Sequence, residues 1–136
     1  MHHIRKGAFA LAVSLAFAPT VPAVAAAQDY RFELVGKPQL GRGGKSVVSI
    51  RLVHLADNKP VPDAVVFESK ADMGPAGMAA MTAPVKPMPR QGRTDSGVYR
   101  FGVEPSMTGP WAISLAAKVQ GEAETVRGSV TAELVK

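Results

Sequence analysis

Apolar and polar residues alternate along six segments of this chain, a pattern typical of β-strands with one buried face. In one of them Val48, Ile50 and Leu52 alternate with Ser49 and Arg51. No segment has a helical period of useful length. The six predicted strands are DYRFELVG (29–36), SVVSIRLVHL (46–55), AVVFESK (64–70), VYRFGVE (98–104), WAISLAAKV (111–119) and TVRGSVTAELV (125–135).

The breaks between these segments are rich in the residues that turns require. GRGGK, ADNKPVPD, RTDSG, PSMTGP and QGEAE supply Gly, Pro, Asn and Asp between successive apolar runs. Short strands at this spacing predict an all-β fold, an immunoglobulin-like two-sheet antiparallel sandwich of about seven strands. A small closed barrel is the alternative.

The first segment of the chain predicts a secretory signal peptide. MHHIRK is basic, residues 7–18 are an apolar run, and PAVAAAQ ends it with small residues. Cleavage is predicted after Ala27, with Ala25 as a near alternative, which leaves residues 28–136 as one domain. An uncleaved anchor is disfavoured because a membrane span needs roughly 20 apolar residues. The mature protein is expected to be periplasmic or secreted, without a membrane span.

Composition and charge narrow the function classes. The chain has no cysteine, which excludes disulfides, thiolate metal sites and a lipid-modified cysteine. Its net charge of +5 is scattered, without a basic stripe interleaved with aromatic residues. Nucleic acid is therefore not an expected partner, and we expect a soluble monomer.

Catalytic signatures are missing from the sequence. It contains no Ser/His/Asp arrangement that can be assembled with conviction, no nucleophile elbow and no phosphate-cradling glycine loop. GRGGK, at residues 41–45, is a turn with no predicted helix after it. We therefore predict that the protein is not an enzyme and holds no organic cofactor.

Methionines are concentrated in one stretch, ADMGPAGMAAMTAPVKPMP (71–89). Prolines and glycines interrupt it, so no clear strand is predicted from Met73 to about Arg93. Connections longer than roughly 12–15 residues are usually functional or disordered. The sequence therefore predicts a stiff, methionine-rich loop on a β-scaffold.

Thioether sulfur is a soft ligand that suits Cu(I) and Ag(I) and binds Ca²⁺ or Mg²⁺ poorly. Met73 continues the parity of Val65 and Phe67, so these side chains are expected to face inward. Met78 and Met81 share one side if AGMAAM forms a helical turn. The candidate metal ligands are Met73, Met78 and Met81, with Met88, Met107 and His54 as additional ligands.

Two other roles for these residues remain open. Methionine fills irregular gaps and contacts aromatic rings well, so the loop could plug the core against Trp111 or Phe67. Its apolar surface could equally dock on a partner protein. His54 lies near a predicted strand end, where a structural role competes with a ligand role.

The order of elements resembles the YtkA-like domain family, with the FixH-type periplasmic domains related to it. The resemblance covers about residues 47–115. It rests on LVHLADNKPVPDAVVFESKADMGPAGMAAM, SGVYRFGV and SMTGPWAISL, and most specifically on Gly97 with Tyr99 and on Met107, Gly109 and Trp111. It implies an immunoglobulin-like sandwich and a link to transition-metal handling, with a metal-efflux or oxidase-assembly protein as partner.

The sequence is also similar to CopC-like copper carriers, which are exported sandwiches with methionine-rich loops. That resemblance implies a Cu(II) site at an N-terminal histidine, and the predicted mature chain begins at Gln28 instead. The first hypothesis is therefore an exported accessory protein that binds Cu(I) or a similar soft ion. The second is a non-catalytic interaction module.

Overall fold

Ten β-strands run through the computed structural model, which describes residues 29–89 and 97–136. They are β1 (Tyr30–Leu34), β2 (Gln39–Leu40), β3 (Ser46–His54), β4 (Lys59–Pro60), β5 (Val65–Met73), β6 (Met78–Ala83), β7 (Val85–Met88), β8 (Val98–Val103), β9 (Gly109–Lys118) and β10 (Val126–Leu134). Within those two ranges no helix has the length and apolar character needed to cross a membrane. The predicted signal peptide, residues 1–27, lies outside them.

The strands form two antiparallel sheets packed face to face. The first sheet has the order β1-β3-β8-β7, and β2 and β4 pair with β3 as well. The second sheet has the order β10-β9-β5-β6. This arrangement confirms the immunoglobulin-like sandwich, and the two separate sheets exclude the closed barrel.

All six strands predicted from alternation are present, because their inward positions supply the core. In β3, Val48, Ile50 and Leu52 are fully buried, while Ser49 and Arg51 between them are only partly covered. The largest fully buried side chain is Trp111, on β9. The rest of the core comes from inward residues of both sheets, including Phe32, Phe101, Val103, Ile113, Val126, Ala132 and Leu134.

The expectation of a strandless loop after Met73 is wrong. β5 extends to Met73 itself, and β6 and β7 follow it. Each of these two strands pairs on one side only, β6 with β5 and β7 with β8, so each is a sheet edge. Proline is tolerated in an edge strand because its missing N–H can lie on the unpaired side. Pro84 lies between the two strands, where the chain passes from the second sheet to the first.

The inward orientation expected of Val65 and Phe67 is also wrong. Val65 is 63% exposed and Phe67 is 52% exposed. The pairing of β5 with β9 shifts register between Val66 and Glu68, so Phe67 occupies a β-bulge. A bulge inserts one extra residue and reverses the parity of the later positions in the strand. Met73 is consequently buried, as is Ala71, although Val65 and Phe67, whose parity Met73 shares, are exposed.

A buried tyrosine holds the connection between β4 and β5. The Tyr99 hydroxyl donates to the carbonyl oxygen of Val61 at 2.6 Å and accepts from the amide of Ala64 at 3.0 Å. Gly97, two residues earlier, has φ of +64°, and a Cβ there would lie 2.6 Å from Pro60 Cβ. The Gly-x-Tyr pattern therefore has a structural basis. The glycine allows the backbone to approach Pro60 closely, and the tyrosine hydroxyl bridges two backbone groups.

Candidate functional site

Met73 ends β5 inside the core. Its side chain is 1% exposed and belongs to the same cluster as Trp111. Gly109, the first residue of β9, faces it so closely that a Cβ there would lie 2.8 Å from Met73 Cε. The start of β9 and the end of β5 therefore meet at one end of the sandwich.

A tight hairpin brings Met78 back to Met73. The 3-10 turn Gly74–Ala76 contains Pro75, and Gly77 closes it at φ of +80° with its amide donating to the carbonyl oxygen of Gly74 at 2.9 Å. Met78 then pairs with Met73 across an irregularity in the register, since the neighbouring pair is Asp72 with Thr82. Met78 is 38% exposed, so it lies at the open rim of the hairpin.

Met81 lies on the inner face of the second sheet, further along β6. It has the parity of Ala83, which is buried and pairs with the buried Ala71. Met81 is partly buried and packs against the core. Along this edge of the second sheet the methionines pass from buried at Met73 through half-buried at Met81 to exposed at Met78.

Met107 reaches the same end from the turn before β9. The indole nitrogen of Trp111 donates to the carbonyl oxygen of Met107 at 3.1 Å, which holds this turn over the core. The Met107 side chain is 38% exposed. Because Gly109 contacts Met73, Met107 lies beside the hairpin. We call Met73, Met78, Met81 and Met107 the methionine cluster.

Met88 does not belong to the methionine cluster. It lies on β7 of the first sheet and pairs with Arg100. Its sulfur would lie 3.6 Å from a Cβ on Gly102. Gly102 alternates with the core residues Phe101 and Val103, so Met88 is on the outer face of that sheet.

His54 lies at the opposite end of the sandwich. It pairs with Tyr30, whose hydroxyl donates at 2.8 Å to Glu122 in the turn after β9. The methionine cluster lies at the start of β9, a strand of ten residues. At about 3.3 Å per residue the two ends are roughly 30 Å apart. The structure therefore does not bring His54 into a shared site with the methionines.

His54 is part of a polar group at its own end. Its Nδ1 lies 3.0 Å from Asp57 Oδ1, and its ring lies against Tyr30 at a centroid distance of 5.0 Å. The Lys59 amide, donating at 3.1 Å, and then the contact with His54 hold the pKa of Asp57 below its usual value. Burial and the hydrogen bond to Glu122 raise the pKa of Tyr30 to about 12.

The described residues contain no group of three or more His, Cys, Asp or Glu side chains that could hold a metal ion. The methionine cluster carries thioether sulfurs, which are soft donors. Two contacts that position these methionines were not predicted from the sequence. Asp72 Oδ1 accepts from the amide of Gly74 at 2.8 Å and sets the hairpin. Gly109 stands in the Met-x-Gly-x-Trp motif, which did not by itself reveal its contact with Met73.

Comparisons with known proteins agree with the fold. The profile of a family described as YtkA-like matches residues 24–116. Curated protein sequences contain no match. The crystal structure of a DUF4426 family protein from Pseudomonas aeruginosa PAO1 is similar with a TM-score of 0.53 and 16% identity, over 78% of this chain and 88% of that one.

Two further solved structures are more distant. The Lin-41 filamin domain has a TM-score of 0.39 and 15% identity, over 79% of this chain and 92% of its own. The ZirS C-terminal domain has a TM-score of 0.39 and 11% identity, over 98% of this chain and 88% of its own.

Proposed function

The chain belongs to the YtkA-like family, and we propose that it is an exported, non-catalytic accessory protein that binds a soft metal ion such as Cu(I) or Ag(I). The ligands in this proposal are Met78, Met81 and Met107. Met73 lies behind them in the core and positions the hairpin. The bound ion would pass to a metal-efflux or oxidase-assembly protein, the partner class that the family resemblance implies.

The observation that carries the proposal is the presence of several methionines at one end of the β5–β6 hairpin. Met73 and Met78 are a cross-strand pair, Met81 packs against the core on β6, and the Met107 turn lies alongside. Thioether sulfur favours Cu(I), and three sulfurs satisfy its preference for few, soft ligands. Met78 and Met107 are each 38% exposed, so an ion can reach the cluster from solvent.

The test is an anaerobic Cu(I) titration of the protein, expressed from the full chain, against a competing chelator. A Met78→Leu/Met81→Leu variant removes both sulfurs and retains apolar volume, so the fold should survive. Met88→Leu is the matched control, because that methionine lies on the other sheet. Stoichiometric binding lost in the double variant and kept in the control would support the proposal. Displacement of all Cu(I) from the wild type by the chelator would refute it.

A second function, docking of a protein partner, is favoured by exposed apolar side chains at the same end of the sandwich. Leu40 is 67% exposed and Val135 is 51% exposed. Leu40 pairs with Ser46 and Val135 follows Leu134, the partner of Gly109, so both lie at the methionine end. The Met→Leu variant separates the functions, since leucine keeps an apolar docking surface and cannot bind Cu(I).

A further inference from the structure

The outer face of the first sheet carries one cationic side chain on each of its four main strands. Outward orientation follows from alternation: Arg51 lies between the buried Ile50 and Leu52, and Arg100 between the buried Tyr99 and Phe101. We call these four residues the cationic row. Its members are Arg31 on β1, Arg51 on β3, Arg100 on β8 and Lys86 on β7.

Strand register arranges the row as a straight diagonal. The residue directly opposite each cation lies two positions from the next cation on the neighbouring strand. The shift is always toward the same end of the sheet. Such diagonal neighbours lie about 7–8 Å apart, so the row spans about 21–24 Å. Arg31 is opposite Val53, which is two residues from Arg51, and Arg51 is opposite Val98, which is two residues from Arg100. Arg100 is opposite Met88, which is two residues from Lys86, and Lys86 itself is opposite Gly102.

Most of the charge in the row is uncompensated. Arg31 pairs with Glu33, which also lies directly opposite Arg51, so this one carboxylate offsets part of the charge at that end of the row. Within residues 29–89 and 97–136, no ion pair engages Arg51, Arg100 or Lys86.

The outer face of the second sheet is different, because three acidic and three basic side chains balance there: Glu68, Asp72, Glu133, Lys70, Lys118 and Arg127. Glu68 lies 3.7 Å from Lys70 Nζ and 3.3 Å from Arg127 Nη1. The surplus positive charge therefore belongs to one face of the sandwich.

We propose that the cationic row binds an extended acidic segment of a partner protein, with Asp or Glu at alternate positions. Side chains on one face of an extended chain recur about every 6.6–6.8 Å, close to the spacing of the row. About seven residues of such a chain span the row. Guanidinium groups pair with carboxylates through two parallel hydrogen bonds, which suits a row containing three arginines.

The chemistry of the face favours a peptide over single-stranded nucleic acid. Sequence-tolerant binding of nucleic acid relies on aromatic side chains that stack with bases. The outward positions described on this sheet carry none, since Phe32, Tyr99 and Phe101 are buried. Met88, opposite Arg100, instead offers an apolar contact to the intervening side chains of a peptide.

The test is fluorescence anisotropy at low ionic strength with a labelled peptide in which Glu alternates with Thr. Arg100→Gln/Lys86→Gln removes two charges from the row. Lys70→Gln/Arg127→Gln removes the same charge from the second sheet and is the matched control. We expect about tenfold weaker binding for the row variant and less than about twofold for the control, as for two exposed ion pairs lost in one place. Thermal melting of each variant confirms that it is folded.

A second peptide of the same composition, with all Glu residues in one block, tests the spacing. Tighter binding of the alternating peptide supports the proposal. Equal weakening by the two double variants would show a response to net charge alone and would overturn it. Tighter binding of polyphosphate, single-stranded DNA or anionic phospholipid vesicles than of the alternating peptide would also overturn it.

Discussion

The methyl carbon of Met73 lies against Gly109, so close that a Cβ at residue 109 would be 2.8 Å away. This contact joins the end of β5 to the start of β9. It places the hairpin that carries Met78 beside the turn that carries Met107. The geometry of the methionine cluster therefore depends on a glycine.

Gly109→Ala should destabilise the fold by about 1–3 kcal/mol, the usual cost of overpacking. The new methyl group must displace Met73, and φ of +152° disfavours a side chain at this position. Urea unfolding of both proteins measures the difference. In a Met73→Ala background the same substitution should cost less, because the steric part disappears. An equal cost in both backgrounds would show that the contact with Met73 contributes nothing.

Met73 and Met78 should differ sharply in their effect on stability. Met73→Ala leaves a cavity in the core and should cost about 2–5 kcal/mol. Met78→Ala truncates a side chain that is 38% exposed and should change stability by no more than about 0.5 kcal/mol. Urea unfolding compares them. Similar losses would mean that Met78 is part of the core and is not open to a ligand.

Tyr99→Phe should cost about 1–3 kcal/mol, because the hydroxyl serves two buried backbone groups at once. Without it the carbonyl oxygen of Val61 and the amide of Ala64 lose a partner. Hydrogen exchange at the Ala64 amide should also accelerate. Urea unfolding measures the loss of stability, and NMR measures the exchange rate. An unchanged exchange rate would show that another group protects this amide.

Asp57 should make stability fall in acid. Its pKa is lowered below 3.8, so the folded state favours the carboxylate. This contribution is complete above the unfolded pKa and is lost as the pH falls through the lowered value. Between about pH 5 and about pH 2.5 the wild-type Tm should therefore drop more than that of Asp57→Asn. Parallel drops would mean that Asp57 has no part in acid unfolding.

Cu(I) affinity should be nearly independent of pH between about 6 and 8, because uncharged thioethers release no proton on binding. An imidazole ligand would make binding depend on pH, because it must be neutral to bind a metal ion. His54, however, lies at the far end of the sandwich. His54→Gln should therefore leave the affinity unchanged in the titration against a chelator. A steep pH dependence that His54→Gln removes would place the ion at His54.

Local alternation was enough to predict six strands and most of the inward faces, since burial of one face imposes a period of two on each strand. β6 and β7 were not predicted, because small residues and prolines hide the period of an edge strand. The bulge at Phe67 was not predicted either, because a bulge is defined only by the pairing with the partner strand, here β9.

The sequence by itself determined the sandwich, its six alternating strands, the methionine-rich composition of one stretch and the absence of cysteine. Tertiary structure decided which methionines meet, as Met73, Met78, Met81 and Met107 are gathered while Met88 and His54 are not. It also decided the diagonal of the cationic row. Both depend on register between strands distant in sequence, and register follows from the packing of the whole core, which no local pattern records.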